Sequence, residues 1–292
     1  IFGGVHGLER IGSDVVISWM QSISETMEWD ESLQDRLKKS RLVFMPIVNP
    51  VGIFEMTRSN GSGVDLMRNS PVRAENPPAF LLGGQEYSPR LPWYSPKVSK
   101  TADMEIESRA LHGLVEREMF RSKCAVTIDV HSGFGAVDRV WFPWAKTTKP
   151  PPHLEEISAF KRLFDRSYPH HFYQIEPQAK SYTTHGDLWD WLYGNHMQQA
   201  EAKKGSSAPV YIPFTLELGS WLWLKKNPRQ LFSSLGAFNP IQPHRLKRIL
   251  RRHMTLFDFV HRAVTSSDSW LNLDENTRAQ LRRRATELWY TE

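Results

Sequence analysis

The chain has 292 residues, 40% hydrophobic and 12% aromatic, a composition that supports a large buried core and excludes an intrinsically disordered chain. With 37 basic against 32 acidic side chains the net charge is only +5, too small an excess for a dedicated nucleic-acid binder, and no apolar run reaches the ~20 residues of a membrane-spanning helix, so neither nucleic acid nor a membrane is expected as a partner. The single cysteine, Cys124, excludes an internal disulfide and any cysteine-rich zinc cluster, which fits a reducing, cytoplasmic compartment.

The first residues, Ile1-Phe2-Gly3-Gly4-Val5, read as the middle of a buried strand, and the chain starts without methionine, so further N-terminal strands are expected to precede it. The run ends on His6-Gly7-Leu8-Glu9. An imidazole and a carboxylate at this spacing, on a strand-to-helix turn, can reach one metal ion. Alone, the motif is far more often a polar start to a helix. A catalytic zinc takes three protein ligands and keeps a fourth position for water, so a third ligand must come from downstream.

After Glu9, apolar residues at three- and four-residue steps (Ile11, Val15, Val16, Trp19, Met20, Ile23) predict an amphipathic helix with Ser13-Asp14 as a capping pair. Residues 41–48 form a continuous apolar run bounded by Asn49-Pro50 and predict a buried strand. Strand, turn, helix and strand in this order are the grammar of an α/β fold. From Ser70 to Ser99 the composition turns to Pro, Gly, Ser and Asn, which predicts a long surface loop near the site. Helical period returns over 102–120. Strands follow at 125–130, ending on His131, and at 139–144. A helix over 153–168, a short strand at 172–175, a loop over 195–207 and a strand over 209–218 carrying Glu217 complete the pattern. The C-terminal part is helical over 244–264 and 276–289, with Lys- and Arg-rich faces that read as solvated surfaces of covering helices. The expected fold is α/β, a mixed and largely parallel twisted sheet flanked by helices. One domain is expected over 1–264, and 265–292 is expected to form a helical extension.

His131 closes a buried strand and precedes Ser132-Gly133, which places its ring at the carboxyl edge of the sheet, where open α/β sheets bind ligands. Glu217 is a lone carboxylate in an apolar strand. Burying it is costly unless its charge is used, and a general base beside an activated water is such a use. Arg58 and Arg68 flank a Gly-rich loop, and their forked donors can clamp a carboxylate or polarise a carbonyl.

In family order, the blocks His6-x-x-Glu9, Asn49-Pro50-x-Gly52, Arg58, Gly63-Val-Asp-x-x-Arg68-Asn69, Asp129-x-His131-Ser132, Tyr182 with Gly186 and Asp190-Trp191-x-Tyr193-Gly194, and Thr215-x-Glu217-Leu218 resemble the zinc carboxypeptidases of the carboxypeptidase A type. The resemblance implies one Zn²⁺ held by His6, Glu9 and His131, with Asp65 fixing the tautomer of the first histidine. It implies Glu217 as general base, Arg58 as stabiliser of the oxyanion, and Arg68 with Asn69 as the grip on a substrate's free carboxylate. Tyr182 corresponds to the tyrosine that closes over substrate. Asp187 and Trp189, just before Asp190, are expected to set specificity, although Asp187 is equally a helix cap.

Two departures stand out. Met67 occupies the place of the asparagine that usually precedes the carboxylate-gripping arginine, and Leu8 stands between the first two ligands where digestive members carry arginine. Both weaken recognition of an ordinary peptide C-terminus, so a specialised peptide, such as a peptidoglycan-type one, is the expected substrate. A zinc-dependent deacylase of N-acyl amino acids on the same fold is the alternative, and an inactive binding protein the remote one.

Overall fold

The structure, a computed structural model, describes residues 1–133, 135–202 and 209–291. Five strands, β1 (Phe2–Gly3), β2 (Cys124–Gly133), β3 (Arg139–Phe142), β4 (Gln174–Pro177) and β5 (Val210–Gly219), form one sheet in the order β1-β2-β5-β3-β4. β1, β2 and β5 run parallel; β3 lies antiparallel to β5 and parallel to β4. This is the mixed, largely parallel sheet expected from the sequence.

In chain order the helices are α1 (Arg10–Thr26), α2 (Glu31–Leu37), α3 (Pro50–Glu55), α4 (Ile106–Met119), α5 (Leu154–Ser167) and α6 (Leu188–Ala202). Then come α7 (Trp221–Leu224), α8 (Ser234–Phe238), α9 (Pro243–Arg252), α10 (Met254–Thr265), α11 (Ser267–Leu271) and α12 (Glu275–Trp289).

The strands β2 and β5 are buried almost throughout because helices cover both faces of the sheet. The period of two along a strand sorts their side chains. Ile212, Phe214, Leu216 and Leu218 enter one core with Val15, Trp19, Phe160 and Phe257 from α1, α5 and α10. Tyr211 belongs to a second core with Leu111, Val115, Leu188 and Leu192 from α4 and α6. Thr215 and Glu217 share the parity of Tyr211, as Thr127, Asp129 and His131 share that of Ala125. The second face is thus apolar at its amino end and polar at its carboxyl end, where His131 and Glu217 are register partners.

Four local expectations change. Residues 41–48 form no strand. The segment hydrogen-bonds along β1, as in Met45 N to Ile1 O at 3.0 Å and Gly3 N to Met45 O at 3.1 Å, but Val48 rather than Ile47 donates to Gly3 O, so the pairing slips by one residue after Met45 and only Phe2 and Met45 form a bridge. The helix after Glu9 starts at Arg10 with Glu9 as its N-cap residue, so Ser13 and Asp14 lie inside it. The helix over 244–264 is two helices divided at His253. The loop over 195–207 is helical as far as Ala202, and 203–208 lie outside the described residues. Residues 70–99 contain no helix or named strand.

The C-terminal segment joins the body of the protein. Leu281, Ala285 and Trp289 of α12 enter the first core, Arg278 and Arg282 pair with Glu156 and Glu155 of α5, and the Trp289 indole donates to Ile175 O at 2.9 Å.

Candidate metal centre

His6 and Glu9 sit in the turn between β1 and α1, and that turn is fixed by backbone. Gly7 packs so closely against Gly52 that a Cβ on it would lie 1.8 Å from the Gly52 carbonyl carbon. Asn49, the N-cap of α3, accepts from Gly52 N at 2.8 Å and donates to Val5 O at 3.2 Å. The Asn49-Pro50-x-Gly52 block therefore serves as a seat for the ligand turn. From the other side, Asn239 accepts from Ile11 N at 2.8 Å and donates to Leu8 O at 2.7 Å.

His6 Nδ1 lies 2.9 Å from Glu9 Oε1, His131 Nδ1 lies 3.0 Å from Glu9 Oε2, and the two Nδ1 atoms are 3.1 Å apart. All three side chains are buried, and one ligand atom from each falls within 4.8 Å of the others. Each outer nitrogen is already committed: His6 Nε2 to Asp65 Oδ1 at 3.0 Å, and His131 Nε2 to Asp129 Oδ2 at 2.8 Å. With Nε2–H donating outward, two Nδ1 lone pairs and a carboxylate converge on one point, an arrangement that only a cation or a shared proton can hold together. Burial alone would lower the His131 pKa, but Asp129 and Glu9 outweigh it and raise it well above the usual range. Burial would likewise raise Glu9, yet the two rings hold its carboxyl far below the ordinary carboxylate range. These residues fit a metal ion with two nitrogen ligands and one oxygen ligand.

A cleft of about 450 Å³ opens beside them, with Arg58, Tyr182, Trp141 and Glu217 in its walls. The Glu217 carboxylate makes no hydrogen bond among the described residues, and burial pushes its pKa up to about 7. Gly133 leaves the space that this carboxylate uses, since a Cβ there would lie 3.2 Å from Glu217 Oε2. Arg58 donates through Nε to Asp65 Oδ2 at 2.8 Å and through NH1 to Glu9 Oε1 at 3.2 Å. Tyr182 stacks edge-on against Trp141, with centroids 5.8 Å apart.

Arg68 is buried directly behind the cleft wall, with Nε and Nη2 on the Leu82 carbonyl at 3.2 and 3.0 Å, Nη1 on Met67 O, and a side-chain hydrogen bond to Tyr182. The other site candidates lie away from the cleft. Asn69 is buried and accepts from Glu105 N at 2.6 Å. Met67 packs in the second core. Asp187 and Trp189, expected to set specificity, are not among the residues lining the cleft. The chain turns into α6 at Leu188, so Asp187 caps the helix by accepting from Trp189 N and Asp190 N. The same turn points Trp189 at the sheet, where its indole donates to Asp129 Oδ2 at 2.9 Å.

Three roles escaped the sequence. Asp129, which stands in the Asp129-x-His131-Ser132 block without a role there, orients His131, and the signal was present: it lies two residues earlier on the same strand and so on the same face. Arg139 lines the cleft while its Nε donates to Glu176 Oε1 at 3.0 Å; nothing in its local sequence marks it. Asn239 is brought in by the tertiary fold alone.

A family model described as zinc carboxypeptidase matches residues 1–221. Among solved structures, thrombin activatable fibrinolysis inhibitor superposes with a TM-score of 0.62 at 19% identity, covering 93% of this chain and 62% of that one. The bovine form, in complex with tick carboxypeptidase inhibitor, gives 0.63 at 18% identity, with 91% and 82% covered. Carboxypeptidase A from Helicoverpa armigera gives 0.57 at 14% identity, with 91% and 60% covered. The chain thus spans less than two thirds of the first and third of these, and at such identities the likeness is one of fold. No curated protein sequence matches the chain.

Proposed function

The chain belongs to the zinc carboxypeptidase family, and from that membership we propose that it is a zinc-dependent carboxypeptidase acting on a specialised peptide with a free C-terminal carboxylate. The observation that carries this is the convergence of His6 Nδ1, His131 Nδ1 and Glu9 on one point beside the unpaired carboxylate of Glu217.

In this proposal His6, Glu9 and His131 hold one Zn²⁺, which when bound acts as a Lewis acid on the scissile carbonyl and makes an adjacent water more acidic. Glu217 takes the proton of the attacking water on its carboxylate and passes it to the leaving amine. A pKa raised by burial suits a group that must accept a proton and then release it. Arg58, held in place by Asp65 and Glu9, turns its remaining N–H donors toward the charge that develops on the carbonyl oxygen. Asp65 and Asp129 keep both rings in the tautomer that presents Nδ1 inward. Tyr182 forms part of the wall that shields the reacting bond from solvent. Arg68 spends three of its five N–H donors on the Leu82 and Met67 carbonyls, and the donors that remain on its two terminal nitrogens are those that can grip a substrate carboxylate beside Tyr182. Met67 supplies no polar group to replace the asparagine usual at that position.

The decisive assay compares release of a free C-terminal amino acid from a peptide library with deacylation of N-acetyl and N-succinyl amino acids, both with zinc present. Peptide cleavage is expected to dominate, with simple N-blocked dipeptides among the poorer substrates. Efficient deacylation without peptide cleavage would establish the amidohydrolase instead.

Asp129→Asn tests the support behind His131. The amide can present its NH2 group rather than an acceptor to the ring and loses the charge, so zinc affinity should fall by about 10–100-fold. Competition against a chelator of known affinity measures it, and an unchanged affinity would remove Asp129 from this role.

A further inference from the structure

A second cavity, of about 300 Å³, lies on the other face of β5, between α7 and α9. Its floor is apolar, made by Leu218, Leu222, Trp223 and Ile249. Its rim is basic. Lys225, Lys226 and Arg248 are exposed there, and none is ion-paired among the described residues. Arg245 and Arg252 add two further cations. Arg245 NH1 is anchored on Trp223 O at 2.8 Å, and Arg252 NH2 on Asp138 Oδ2 at 3.0 Å. Asp138 is the sole carboxylate in the lining. It accepts from Gly219 N at 2.9 Å, and Leu218, next to Glu217 on β5, lines both this cavity and the cleft.

Solvated basic faces are common on covering helices, and charge alone would not make this one a site. A second feature does. The Trp223 side chain is 2% exposed, and its indole Nε1–H, which can only donate, has no hydrogen-bond partner. A buried donor left unsatisfied is costly, and here it belongs to a residue of the cavity floor.

We propose that this cavity binds a small organic phosphate. A phosphate monoester carries up to two negative charges and three acceptor oxygens, which matches three uncommitted cations and the unpartnered Trp223 Nε1 and Arg252 Nε donors better than a single carboxylate would. The apolar floor takes the organic body. This assignment does not depend on the reaction proposed for the catalytic cleft.

Titration calorimetry of the zinc-loaded protein with phenyl phosphate tests it. The expected result is saturable binding at about 0.1 mM or tighter, weakened at least tenfold in the Lys225→Ala/Arg248→Ala variant, with inorganic phosphate several-fold weaker than phenyl phosphate. Both replaced side chains are exposed, so an unchanged melting curve verifies the fold, and Lys225→Ala alone should give an intermediate affinity. The absence of binding at about 10 mM, retention of affinity in the double variant, or inorganic phosphate binding as tightly as phenyl phosphate would overturn the proposal. So would binding that survives the double variant but is lost in Arg58→Ala, which would place the phosphate in the catalytic cleft.

Discussion

Glu217→Gln is expected to reduce peptide hydrolysis by about 10²–10⁴-fold while leaving zinc content and substrate affinity close to those of the parent. The amide is nearly isosteric and fits the space left by Gly133, but it cannot accept the proton of the attacking water. The Glu217 carboxylate makes no hydrogen bond among the described residues, so the replacement breaks none, and the loss should appear in kcat with little change in KM. Steady-state kinetics on the best library peptide, with metal analysis of the same sample, measures both quantities. Activity within a few-fold of the parent would assign the base elsewhere and leave Glu217 as a group that only shapes the cleft.

The second large effect is at His131. His131→Ala removes one of two nitrogen ligands and leaves Asp129 with only the Trp189 indole as partner. Zinc bound after dialysis should fall from about one equivalent to almost none, and hydrolysis with it. The parent should also lose thermal stability when treated with a chelator. A ligand present at about 100 times its dissociation constant contributes roughly 2.7 kcal/mol, and the variant should not respond to chelation at all. A variant that still bound one zinc tightly would show that the metal lies elsewhere.

The sequence was most legible where chemistry and periodicity coincide. His131 and Glu217 each occupy a strand in which other charged or imidazole groups are rare, and the parallel sheet makes them register partners. The ligand turn was legible because His6 and Glu9 are three residues apart. What could not be read was direction. Arg68, Asn69, Asp187 and Trp189 stand in the right blocks, but whether each side chain meets the cleft depends on a short turn at Leu66–Arg68 and on the start of α6. Those features bury all four. Residues 41–48 misled for a similar reason: an apolar run resembles a strand, and a one-residue slip in its pairing with β1 is enough to end the ladder.

The strands next to the proposed ligands, β1 before His6 and β2 carrying His131, meet over only two residue pairs, Phe2 with Asp129 and Gly3 with Val130, and all of α1 to α4 lies in the chain between them. An ion held by His6, Glu9 and His131 would therefore act as a crosslink closing a long loop, which restricts the unfolded chain far more than the folded one. Loading the site would then tie the sheet edge in place. A cell poor in zinc would hold a protein that is not only idle but also easier to open along that edge and to degrade.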